Sequence, residues 1–269
     1  MKKHILLFIF LFLAAIGIEY ELSPYTQGAI TGSQYGHVGL CLALMLIYII
    51  PAGLILTRLA KKWQTPLATM GLALIGGMFI SGWLASHGNQ FAQEFFQHLG
   101  LGKTFMDHWE PAISPPLVEE PAKLLAAGLA LCLLPVKNLK SILLVGISSG
   151  LGFQISEDLS YIHSDLKEGF VFTISDTLYR ITGSISSHWL YTGLALTGLA
   201  VYWLYQKKEP KKAKLGLFYF LAAFLLHFLW NSPFTAIHTP FPLTTPFAAA
   251  LHLFVFYLFY QQVVKKEGV

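Results

Sequence analysis

Charge is what this chain most lacks. Only 12% of its 269 residues are Asp, Glu, Lys or Arg, against roughly 25% in a soluble domain, while 55% are hydrophobic. Almost every stretch between apolar runs is short, so little chain is left for a soluble domain. The formal charge of +4 is carried by short clusters between those runs rather than by a patch on a folded surface. That excludes a nucleic-acid partner as its explanation and makes it a topology signal. Cysteine is also scarce. Cys41 and Cys132 both fall inside apolar runs, near opposite ends of their spans, which argues against a disulfide and for small packing residues. The HExxH motif of soluble zinc proteases is absent. No serine stands out as a nucleophile, Ser186 and Ser187 being chance neighbours of His188. Neither an internal repeat nor a low-complexity segment is visible.

What is present is apolar length. A spanning helix needs about 20 mostly apolar residues, and runs near 4–20, 38–60, 66–86, 114–135, 141–163, 183–206, 215–232 and 246–264 meet or approach that. The expected fold is therefore all-α, a polytopic integral membrane protein of about eight transmembrane helices. The first run follows Lys2 and Lys3 as a signal peptide would, but leaves through Ile18, Glu19 and Tyr20 without a small-x-small cleavage site. It is read as a retained span. Alternate connections hold 14 of the 18 Lys and Arg residues, which places both termini in the cytoplasm. Three spans form residues 1–113, ending in an outer segment at 87–113 where Phe91, Phe95 and Leu99 recur at the spacing of an interfacial helix. A four-helix core follows at 114–232. The last span and a cytoplasmic tail occupy 233–269.

Ionisable residues inside a span cost roughly 2.5–3.5 kcal/mol each and usually serve a function. They crowd into the core. In SPPLVEEPAKLL, Ser114 is the expected N-cap and Pro115 and Pro116 suit a first turn. At about 100° per residue, Lys123 shares a face with Glu119 and Glu120, and Pro121 bends the helix beside them. Two adjacent carboxylates in low dielectric need a cation, supplied by Lys123 or by a metal. A charge pair at a helix N-terminus is the ordinary alternative. In the next span, Phe153 and Glu157 share a face, and Gly146, Gly150 and Gly152 allow close approach of a neighbour. Asp158 points about 100° away, and the pair would otherwise simply end the helix at the interface. His188 lies about five residues into the following span, eight residues after Arg180, and His227 and Asn231 lie four apart in LLHFLWNSPF. A helix–helix hydrogen bond is as ordinary a use for His188 as ligation, and a lipid headgroup for Arg180. By the span map Glu119, Glu157, His188 and His227 each sit roughly 8–9 Å below the outer boundary. Four helices thus place costly residues at one level.

Carboxylates and imidazoles pooled at one level can ligate zinc, a spare carboxylate can deprotonate water, and an amide can support an oxyanion. These are the parts of a peptide hydrolase. Glu-Glu-x-x-Lys at 119–123, Phe-x-x-x-Glu at 153–157 and His-x-x-x-Asn at 227–231 resemble the three motifs of the PrsW family of intramembrane proteases, as does the segment around Arg180 and His188-Trp189. That family is similar to the CAAX prenyl-protease-like membrane proteins. The resemblance covers residues 114–232, and Asn231 stands where the family often has Asp. It implies an intramembrane metalloendopeptidase of the bacterial cell membrane. Some members cleave a membrane-anchored anti-sigma factor near its extracytoplasmic side. On this reading the partners are a membrane-anchored protein substrate and the bilayer. Glu119 is the expected water-activating base with Glu120 its rival. Glu157, His188 and His227 would hold a divalent metal, with zinc expected. Asn231 would orient the substrate carbonyl, Lys123 would neutralise the glutamates, and Arg180 would cap or steer at the outer face. A transporter using Glu119, Glu120 and Glu157 as ion sites, and a non-catalytic scaffold, are the competing readings.

Overall fold

The computed structural model describes residues 2–27, 30–235, 237 and 243–268. No strand occurs among them. The helices are α1 (Lys2–Thr26), α2 (Gly32–Trp63), α3 (Leu67–Ile75), α4 (Gly82–His98), α5 (Lys103–His108), α6 (Glu110–Leu133), α7 (Leu139–Asp165), α8 (Phe170–Gly183), α9 (His188–Tyr205), α10 (Pro210–Asn231) and α11 (Thr244–Phe259). A π-helical turn, Gly76–Ser81, joins α3 to α4 without a break. All eight apolar runs fall on helices, and six of the resulting rods are long and apolar enough by length and composition to cross a membrane. The protein is thus an all-α polytopic membrane protein. Part of the expected connection before the last span, at 236 and 238–242, lies outside the described residues.

Large apolar side chains such as Phe8, Ile47 and Phe218 are exposed on the outside of the bundle, as a hydrocarbon solvent requires. The buried centre is α7, which packs on α2, α3, α6 and α9. Its small residues make that possible. A methyl group at Gly146 would lie 2.8 Å from the Thr192 carbonyl, at Gly150 2.7 Å from Trp189 Cα, and at Gly152 2.8 Å from the Met78 nitrogen. Gly150 therefore lets α7 touch the first turn of α9, where His188 sits.

Two expectations change, and one alternative reading falls away. Ser114 is not a cap: α6 begins a turn earlier at Glu110, with Pro111 in its first turn, and runs unbroken through Pro115, Pro116 and Pro121. The 87–113 segment is not a separate interfacial helix, because α4 continues the third span to His98 and only the short α5 follows. Glu157 and Asp158 do not end their helix, which runs on to Asp165. Helix ends consequently do not mark one membrane level. His188 is the first residue of α9, whereas Glu119 is more than two turns into α6.

Gly152→Val should destabilise the bundle by about 1–3 kcal/mol through overpacking. Gly128→Ala, with open space around the position, should be neutral or stabilising because alanine is the better helix former. Thermal unfolding in detergent separates the two, and equal losses would contradict the packing described for α7.

Candidate active site

Helix α6 delivers three charges to the interior. Glu119, Glu120 and Lys123 are all buried, and the Lys123 side chain has no exposed area. Its ammonium lies 2.6 Å from Glu120 Oε1 and 3.7 Å from Glu119 Oε2, and it sits 4.4 Å from the centroid of the Phe153 ring. It also donates to His188 Nδ1 at 2.9 Å. A lone ammonium in such surroundings would be prohibitively costly, and the paired carboxylates compensate for it.

Each histidine is held by a carboxylate. His227 Nδ1 donates to Glu120 Oε1 at 2.9 Å, and Thr192 donates to the other Glu120 oxygen at 3.2 Å. Tyr191 stacks on the His227 ring with centroids 4.9 Å apart. His227 Nε2, on the other side of the ring, faces Glu119 Oε2 at 3.7 Å. His188 Nε2 donates to Glu157 Oε2 at 3.0 Å, which leaves Nδ1 as an acceptor 3.8 Å from the same Glu119 oxygen. Imidazoles oriented by a carboxylate on one nitrogen are typical of metal ligands; here the other nitrogen faces Glu119 in both rings, and that of His188 accepts from Lys123 as well.

Glu119 completes the arrangement. Its Oε1 accepts from Asn89 Nδ2 at 3.1 Å, while its buried Oε2 has no hydrogen-bond partner. One ligand atom each from Glu119, His188 and His227 falls within 4.8 Å of the others. Zinc bonds of 2.0–2.2 Å in a tetrahedron put neighbouring donors about 3.3–3.6 Å apart, so the donors need only small movements to meet one ion. Charge agrees with geometry. At full ionisation Glu119, Glu120, Glu157 and Asp158 face Lys123 and Arg180. That is four negative charges against two positive ones, a deficit that one divalent cation balances. The orphaned oxygen and the charge deficit both fit a metal. The fit requires Lys123 to release His188 Nδ1 while keeping Glu120.

The trio that converges is therefore Glu119, His188 and His227, whereas the sequence suggested Glu157, His188 and His227. Glu157 instead pairs with Arg180 Nη2 at 2.6 Å and with His188. Arg180 also donates through Nε to Asp158 Oδ1 at 2.6 Å and lies over the Tyr161 ring. Burial opposes the Arg180 charge, but Glu157 and then Asp158 outweigh it and raise the guanidinium above its ordinary value. Tyr48 and Gln154 each donate to Asp158 at 2.8 Å, fixing the far side of this ion pair.

A cavity of about 490 Å³ reaches the group, lined by Asn89, Glu119, Glu157, Arg180, His188 and Asn231 among others. Glu157 is the most open of the three glutamates, its side chain 23% exposed against 4% for Glu119 and none for Glu120. Sequence reasoning missed Asn89, because nothing in His-Gly-Asn-Gln distinguishes it from Gln90. Thr192 carried a usable signal, standing four residues after His188 on the same helix face.

The family model described as PrsW family intramembrane metalloprotease matches residues 65–261, a range holding Asn89, Glu119, Glu120, Lys123, Glu157, Arg180, His188, His227 and Asn231. No curated protein and no solved structure gives a significant match to the chain.

Lys123→Met should cost about 3–5 kcal/mol, because it strands Glu119 and Glu120 without their cation. Adding Glu120→Gln to that variant should recover part of the loss. Denaturant titration in detergent reads both, and a single variant as stable as wild type would contradict the ion-pair geometry.

Proposed function

The chain belongs to the PrsW family of intramembrane metalloproteases, and from that premise we propose that it hydrolyses a peptide bond of a membrane-anchored protein at the Glu119–His188–His227 centre. The observation that carries the reading is the buried Oε2 of Glu119, which has no hydrogen-bond partner and faces both imidazoles at 3.7 and 3.8 Å with the Lys123 ammonium also at 3.7 Å. Glu119, His188 and His227 would hold the ion, with zinc favoured by two nitrogen donors and one carboxylate. Bound there, a divalent cation supplies Lewis-acid polarisation and lowers the pKa of a water.

The protein groups then divide the work. Glu157, the carboxylate open to the cavity, accepts the water proton and returns one to the leaving amine. It thus takes the role that the sequence suggested for Glu119, while Glu119 takes the ligand role first given to Glu157. Glu120 holds the tautomer of His227, and Lys123 keeps Glu120 ionised. Arg180 anchors Glu157 against Asp158. Asn231, on the cavity wall, offers its amide to the substrate carbonyl as charge develops.

The cavity lies at the end of the bundle opposite the lysine clusters of 61–62, 137–140 and 207–214. With those clusters cytoplasmic, cleavage falls near the extracytoplasmic face of a bacterial plasma membrane. The substrate class that suits this place is a single-span regulator such as an anti-sigma factor. Hydrolysis is preferred to ion transport because one orphaned oxygen faces two oriented imidazoles at a single point.

Glu119→Gln and Glu157→Gln distinguish ligand from base. With a single-span substrate in detergent, Glu119→Gln should lose both bound metal and cleavage. Glu157→Gln should keep the metal while cleavage falls about 10²–10⁴-fold. Metal content by mass spectrometry and cleavage by gel are read on the same samples, and chelator should silence the wild type reversibly. Metal loss in Glu157→Gln with retention in Glu119→Gln would reverse the two assignments. Undiminished cleavage in both variants would end the proposal.

A further inference from the structure

A second cavity, of about 590 Å³, lies between α2, α7 and α11. Most of its wall is apolar, formed by Tyr48, Ile55 and Leu59 of α2, Ile147 and Leu151 of α7, and Phe256 of α11. On α2 it extends from Tyr48 to Trp63, which at 1.5 Å per residue is a groove of about 22 Å. Its two ends differ. At one, Gln154 and Ser187 line both this groove and the catalytic cavity. At the other, Lys62 and Trp63 line both the groove and a cavity of about 220 Å³ whose remaining walls are Gln64, Asn138 and Lys140.

We propose that this composite site binds an anionic glycerophospholipid, one acyl chain in the groove and the phosphate between Lys62 and Lys140. The charge is complementary: two ammonium groups and two side-chain amides line the small cavity, and among the described residues no carboxylate does. Trp63, stacked on Tyr260 with centroids 6.2 Å apart, marks that end as the depth where aromatic side chains meet headgroups. An acyl chain spans about half of a ~30 Å hydrocarbon core, so the groove shelters its whole length. A substrate helix is the competing occupant, and crosslinking from Ile55 separates it from lipid. The lipid's tail is directed towards Gln154, whose amide donates to Asp158 of the Arg180 network. The proposal does not depend on the hydrolytic reading.

Native mass spectrometry of the full chain in detergent, titrated with phosphatidylglycerol or phosphatidylcholine, tests it. Wild type should retain the anionic lipid preferentially, and the preference should fall about fivefold for each of Lys62→Gln and Lys140→Gln. Lys137→Gln, outside the small cavity, should leave it intact. Ile55→Trp, filling the groove at an exposed position, should weaken both lipids, and inorganic phosphate should displace neither. Circular dichroism confirms that each variant keeps its helix content, and the lysine variants test the site independently should Ile55→Trp not fold. Equal retention of the two lipids by wild type, or an unchanged preference in both lysine variants, would overturn the proposal. So would a photo-crosslinker at Ile55 that captures a substrate helix instead of lipid.

Discussion

An ammonium group with no exposed area, wedged between two carboxylates of its own helix and an imidazole of another, is the contact on which the interior depends. Lys123 joins Glu119, Glu120 and His188. Through Glu120 it reaches His227, and through His188 it reaches Glu157 and Arg180. Five helices, α6 to α10, are thus tied by charge in a medium where an unpaired charge is costly, so their rotations about their own axes are fixed together. The apolar contacts alone would not achieve this. A helix apolar on most faces can turn without much loss, whereas a carboxylate displaced from its partner cannot.

Packing brings those charges within reach. Glycines on α7 let it lie against the first turn of α9 and against the π-helical turn of the third span. The same closeness that buries Gly150 against the backbone at 188–189 sets the height of His188 relative to Glu157. Small residues and buried charge are two halves of one arrangement, the first allowing approach and the second fixing register.

Much of this was legible in the sequence. Apolar length located every long helix, because a membrane demands it of each separately. Glu119, Glu120 and Lys123 could be placed on one face because helical periodicity settles angles within a single element. Heights could not be settled in that way. Ser114 resembles a cap and is not one, since Pro111 opens α6 a turn earlier. His188, expected about five residues inside its span, begins α9 after a short 3-10 turn. Which carboxylate faces which imidazole depends on the relative rise and rotation of separate helices, and no single-helix rule supplies those. The exchange of roles proposed for Glu119 and Glu157 follows from that gap. Asn89 escaped notice for a related reason: its only signal is the Glu119 oxygen it meets from another helix.

The central claim is that Glu119, His188 and His227 form one metal centre. X-ray absorption at the zinc edge on the purified, zinc-loaded protein tests it most directly. The account predicts one ion with two imidazole nitrogens and a carboxylate oxygen at about 2.0–2.2 Å, and loss of that spectrum in Glu119→Gln but not in Glu120→Gln. An unchanged spectrum in Glu119→Gln, or a chain that cleaves substrate while holding no ion, would contradict it.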